Sequence, residues 1–161
     1  MPDARPDRDG PGRQEQRGEP ERREGLGTGP GRLLVALYAV FTVGAGSRSI
    51  YQLATRFDEA PLAYTLSAVA AVVYAVILVA LVRGGRTSRR IATAGCALEL
   101  AGVLIVGTLT LVDPEAFPDS TVWSDYGMGY LFIPLVLPVA GLLWLRRAPG
   151  DGTDGAARPA G

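Results

Sequence analysis

A single carboxylate inside a long apolar run is the first feature of this chain that needs a chemical reason. Glu99 is the one charge in the 22 residues of 91–112, IATAGCALELAGVLIVGTLTLV. If that run is a membrane-crossing helix, Glu99 lies ~12 Å from the Arg-flanked end. A charge at such depth costs roughly 2.5–3.5 kcal/mol on insertion scales, so the neutral, hydrogen-bonding acid is the cheaper form. Tyr74, on the preceding apolar run, falls at about the same depth, and Thr42 lies near that level. A Tyr74–Glu99 hydrogen bond is the expected pairing. Gly95, Glu99, Gly102 and Val106 recur at helical spacing on one face, and Ser67 sits between Ala63 and Ala71 in the same way. Small residues of this kind let helices approach closely in lipid, so Glu99 is expected to face the bundle interior.

Arg48 is the second intramembrane charge. It lies ~22 Å from Leu33, about 10 Å nearer the far side than Glu99. Two readings stand side by side: Arg48 reaches back toward Glu99, or it snorkels outward to the interface. Ser47, Tyr51, Gln52 and Thr55 share its polar face, which is placed to line a pocket open to that side. Asp58 and Glu59 follow as counterions for Arg48 or Arg56.

Several chemistries are excluded. The chain has no His, the commonest metal ligand and general base, and its single cysteine, Cys96, cannot form an internal disulfide or a thiolate cluster. Cys96 sits in an apolar run and reads as a small buried hydrophobe. No glycine loop of the phosphate-cradling kind is present, and the acidic stretch 113–125 is too sparse for a calcium motif. No catalytic residue, metal ligand or cofactor is therefore assigned. The intramembrane polar candidates are Glu99, Arg48, Tyr74, Gln52 and Ser67.

These residues must be positioned by four apolar runs, expected as helices over about 33–55, 62–82, 91–112 and 127–145. An α-helix needs ~20 residues to cross a ~30 Å hydrocarbon core, which the second and third runs supply outright. A soluble helix would show a polar stripe, but the second run, LAYTLSAVAAVVYAVILVALV, carries no charge on any face. The expected fold is all-α: a four-transmembrane-helix bundle over 33–147. Residues 1–32 alternate seven Arg with seven acidic residues among Gly and Pro. Such a segment, like 148–161, lacks the apolar area to offset its ordering entropy, so both tails are expected to be disordered. The N-terminal tail is too long and acidic to serve as a signal peptide. Its balanced charge argues against nucleic-acid binding.

Arginine alternates across the connections. Seven lie in the first tail, four between the second and third runs, and three after the fourth; the other two connections hold two and none. The positive-inside rule then places both termini in the cytoplasm of a bacterial plasma membrane. Trp123, Tyr126 and Tyr130 at one end of the fourth run and Trp144 at the other match interfacial belts.

At SRSIYQLATRFDEAPLAY, 47–64, and DSTVWSDYGMGYLFIPLVLPVAGLLWLRR, 119–147, the chain resembles an uncharacterised family of small four-helix actinobacterial integral membrane proteins. The likeness covers about 33–147 and implies topology and host, with no reaction or site residues. The absence of Lys, all basic residues being Arg, accords with a GC-rich bacterial genome. Three function classes are open. The first, non-enzymatic, is a structural or accessory membrane protein, with the lipid bilayer and a second copy or another membrane protein as partners. The second is a small proton- or cation-linked transporter or channel using Glu99. The third is a quinone-linked redox component, disfavoured by the lack of His and of paired Cys.

Overall fold

The computed structural model describes residues 29–147. The expected disorder of the tails falls outside them, except at 29–32, where helix already begins. The helices are α1 (Pro30–Thr55), α2 (Pro61–Arg83), α3 (Gly85–Val112) and α4 (Ile133–Arg147), with 3-10 segments at Phe57–Glu59, Pro114–Ala116 and Ser124–Tyr130. No strand occurs among the described residues. The chain is an all-α helical bundle.

Local chemistry accounts for most boundaries. Pro30 and Pro61 open α1 and α2, where a missing N–H costs nothing and φ is already helical. A single residue, Gly84, separates α2 from α3, and both it and Gly85 adopt positive φ (65° and 85°). That conformation suits residues without a Cβ and reverses the chain in one step. From there α3 starts six residues ahead of the apolar run, because Arg86, Arg89 and Arg90 are good helix formers and carry the helix out of it.

The fourth run departs from expectation. It is not a straight helix over 127–145: the segment Ser124–Tyr130 meets α4 at 97°. Asp125, Tyr126, Leu131 and Phe132 have φ between 50° and 58°, the left-handed region, and so end helical propagation. Pro134 stands in the first turn of α4, where its missing N–H costs nothing, whereas Pro138 lies inside the helix and removes one of its hydrogen bonds. The Pro134 ring also lies against Gly127, where an added Cβ would stand 2.8 Å from Cδ.

Three helices are long and apolar enough to cross a membrane: α1, α2 and α3, with 26, 23 and 28 residues and mean hydropathies of 1.5, 2.6 and 2.0 over an 18-residue stretch of each. The bent pair makes a fourth if it counts as one span; α4 alone extends only ~22 Å. The exterior of the bundle is apolar as well as its core, unlike that of a water-soluble bundle. Val40, Val43, Ile50, Val72, Ile105 and Leu143 point outward, while Tyr38, Ser67, Tyr74 and Glu99 are inside. A continuous apolar exterior of this sort is a liability in water and suits a bilayer.

The two ends of the bundle differ in charge. Among the described residues, Arg32, Arg83, Arg86, Arg89, Arg90, Arg146 and Arg147 stand at the end where α1 begins, with no acidic residue. Asp58, Glu59, Asp113, Glu115, Asp119 and Asp125 stand at the opposite end, with Arg48 and Arg56. These are called the arginine end and the acidic end below.

Candidate functional site

Glu99 is 0% exposed and faces the bundle interior from α3. Its partner is Tyr38 of α1, whose hydroxyl donates to Oε2 at 2.8 Å and also lies 3.4 Å from Cys96 Sγ. Gly141 of α4 closes the cluster: a Cβ there would stand 2.9 Å from Cys96 Sγ and 3.7 Å from the Tyr38 hydroxyl. Three helices thus converge on one buried hydroxyl. Burial does not leave Glu99 fully satisfied, because Oε1 has no hydrogen-bond partner among the described residues.

The expected Tyr74–Glu99 hydrogen bond does not form. The Tyr74 hydroxyl instead accepts from Trp123 Nε1 at 3.1 Å. Helix direction explains both outcomes. In an α-helix the Cα–Cβ bond tilts toward the N-terminus. α1 and α3 both start at the arginine end, so Tyr38 and Glu99 lean the same way and meet beside Cys96. α2 runs oppositely, so Tyr74 leans toward the acidic end and finds Trp123. The Tyr74 ring remains in the same core, edge-on to Phe41 at 5.7 Å and tilted against Tyr38 at 6.2 Å.

Trp123 was expected at an interface, yet it is buried. It enters the bundle over Gly102, where an added Cβ would meet the indole at 2.8 Å. The turn that carries it is held by its own side chains. Thr121 Oγ1 accepts from the backbone N–H groups of Trp123 (3.0 Å) and Ser124 (2.9 Å), and Ser124 Oγ accepts from Thr121 N–H (2.8 Å). Thr110 of α3 accepts from Asp125 N–H at 2.9 Å. The Gly95–Val106 face therefore does serve close approach, but to two different neighbours: Ile77 at Gly95 and Trp123 at Gly102.

Arg48 neither pairs with Glu99 nor simply snorkels. Its guanidinium donates to the Tyr130 hydroxyl (2.9 Å) and the Ser120 carbonyl (3.2 Å), and lies 3.7 Å from the Asp119 carboxylate. Gln52 Nε2 donates to Asp119 Oδ2 at 3.3 Å. The Arg48–Gln52 face therefore meets the segment 119–130 rather than lining an open pocket. Asp119, not Asp58 or Glu59, is the counterion of Arg48. Arg56 pairs with Glu59 at 3.7 Å, and its hydrogen bond to Tyr51, followed by Glu59, holds it above the ordinary arginine value. Ser67 is buried, and its hydroxyl has no hydrogen-bond partner among the described residues. The same holds for Ser49 Oγ and for Gln52 Oε1.

Sequence reasoning missed Tyr38, Asp119 and the inward role of Trp123. A signal existed for Tyr38: Leu34, Tyr38, Phe41, Ala45, Ser49 and Gln52 form the buried stripe of α1 at three- and four-residue spacing. No group of three or more metal-ligating side chains occurs among the described residues. No protein-family model, curated protein or solved structure matches the chain.

Proposed function

We propose that this chain is a multi-pass protein of a bacterial plasma membrane, of the actinobacterial kind that 47–64 and 119–147 resemble. It crosses four times with both termini in the cytoplasm and acts as a structural or accessory component rather than an enzyme. The observation that carries the non-enzymatic reading is the Tyr38–Glu99 hydrogen bond at full burial. The residue with the strongest claim to chemistry is enclosed by packed helices and used to join α1 to α3. Interhelical polar bonds of this sort replace the hydrophobic driving force that lipid removes. The orientation is supported by the charge difference between the bundle's ends, the arginine end being the cytoplasmic one.

Reporter fusions test the orientation. Those after Arg86 and Arg147 should read cytoplasmic, and those near Asp58 and Ser120 external. An external reading at Arg86 rejects it.

One observation favours a second reading, proton- or cation-linked transport at Glu99: the carboxyl oxygen Oε1 lacks a partner. Glu99→Gln separates the two, because the amide keeps the hydrogen bond and cannot titrate. Unchanged stability and unchanged growth phenotype support the structural reading. Unchanged stability with loss of proton-dependent uptake in vesicles replaces it with transport.

A further inference from the structure

Thr42, Thr55, Thr93 and Thr108 each donate their hydroxyl to the backbone carbonyl four residues back, at 2.7–2.8 Å. A helical hydroxyl in apolar surroundings is commonly satisfied in this way. Ser49 of α1 and Ser67 of α2 do otherwise. They are 3% and 1% exposed, and neither Oγ has a hydrogen-bond partner among the described residues. The two helices are antiparallel, joined through 56–60, and their register sets these serines level. Counted from Thr55 and from Pro61, each stands ~9 Å along its helix. Phe41 and Tyr74, level by the same count, are edge-on at 5.7 Å, so the buried stripe of α1 faces α2. Gln52 lies on that stripe one turn nearer the acidic end, 6% exposed. Its Nε2 donates to Asp119, but its Oε1 has no described partner. Three unpartnered polar atoms thus stand within about one turn, between two packed helices, where each is costly unless bonded.

We propose that α1 and α2 hold one ordered water between Ser49 Oγ, Ser67 Oγ and Gln52 Oε1. Gln52 Oε1 only accepts, while each serine hydroxyl both donates and accepts. A water that donates to Gln52 and one serine and accepts from the other satisfies all three, and about three bonds is the usual complement of a buried water. A bare cation could take the same lone pairs, but it needs negative charge beside it. The carboxylate bonded to Gln52, Asp119, already lies 3.7 Å from Arg48, so a cation would add net positive charge to an apolar interior. Bridging waters are nearly as good as direct hydrogen bonds, so this one ties α1 to α2 as the Tyr38–Glu99 bond ties α1 to α3. The site rests on the reading of the bundle as joined by interhelical polar bonds, and adds to it a bound molecule and a place.

The test uses the full chain. A crystal grown from a lipidic mesophase should show one solvent peak within hydrogen-bond distance of all three oxygens. Infrared spectra in lipid give an independent readout. The difference between wild type and Ser67→Ala should contain a water O–H stretch that moves when the solvent carries the heavy oxygen isotope, which leaves serine hydroxyls unmoved. In reversible unfolding, Ser49→Ala and Ser67→Ala should each lower the folded-to-unfolded ratio about threefold, the average worth of one interhelical polar bond. The double variant should fall short of the product of the two, because both lose the same water. Ser47→Ala, exposed on α1, should change none of these readings. No solvent peak, an isotope-insensitive difference spectrum or losses that simply multiply overturns the proposal. So does a direct Ser49–Ser67 hydrogen bond in the crystal. A stability that rises with sodium but not with choline overturns it too, since the occupant is then a cation. The two levels of failure are distinct. An additive Tyr38→Phe/Glu99→Leu cycle removes the reading of interhelical polar bonds, whereas a coupled cycle without the solvent peak removes only this water.

Discussion

Removing the Tyr38 hydroxyl while keeping its ring should strand Glu99 in the core. In the native bundle Oε2 accepts from Tyr38 at 2.8 Å and Oε1 has no described partner, so this is the one hydrogen bond to the carboxyl. Tyr38→Phe leaves Glu99 with none at 0% exposure. Losing the partner of a buried polar group costs about 1–3 kcal/mol in general. In lipid-like surroundings the average for one interhelical bond falls to ~0.6 kcal/mol and the maximum to ~1.7 kcal/mol. We therefore expect about 1–1.5 kcal/mol for Tyr38→Phe, in the upper part of that range because no second partner shares the load. Glu99→Leu should cost less, about 0.5–1 kcal/mol, because the stranded Tyr38 hydroxyl keeps its contact with Cys96 Sγ at 3.4 Å. With the carboxyl gone, the double variant Tyr38→Phe/Glu99→Leu should lie well below the sum of the two. The assay is reversible unfolding of the four proteins in mixed micelles, with the coupling energy taken from the cycle. Single-variant costs that add to within ~0.3 kcal/mol would mean that the bond contributes nothing, and the argument from burial would fail.

Close packing of the segment 119–130 on α3 makes a second contrast testable. Gly107→Ala would place a Cβ 2.6 Å from Tyr126 Cδ1 and 2.7 Å from its backbone N, whereas Gly46→Ala meets nothing within 4 Å. The first should destabilise by about 1–3 kcal/mol and raise proteolysis at 119–130, and the second should be neutral or gain up to ~1 kcal/mol; equal effects would reject the packing. Trp123→Phe removes the donor to Tyr74 but keeps an aromatic ring, and should cost about 1 kcal/mol, a loss that Tyr74→Phe in the same protein prevents from recurring. Additive costs in the double variant would show that the two residues do not interact. Leu131 is 83% exposed with φ of 57°, so Leu131→Gly should relieve left-handed strain and stabilise by about 1 kcal/mol in detergent unfolding; a loss of stability would show that its side chain holds the bend.

Part of this molecule was legible before any coordinate was known. Helicity, the apolar character of the spans and the burial of Glu99 follow from local composition. An uncharged α2 run has no polar face to offer water, and a lone carboxyl on a small-residue stripe must turn inward. Within 29–147, the alternation of arginine-bearing and acid-bearing connections is likewise a property of the order of residues along the chain. Which hydroxyl meets Glu99 was decided only in three dimensions. Depth along a helix axis placed Tyr74 level with it, but antiparallel helices tilt their side chains in opposite directions, so Tyr38 takes the bond. Arg48 belongs to the same class. Its partners Tyr130, Ser120 and Asp119 lie 71 to 82 residues away in sequence and come within reach only where the segment 119–130 packs back on the bundle, ahead of the 97° bend into α4. That bend is set by left-handed residues, which no hydropathy window registers, followed by Pro134 in the first turn of α4. Sequence specifies what each segment is made of and how it curls; partner choice depends on helix direction, rotation and the return path of a loop, which exist only once the segments pack.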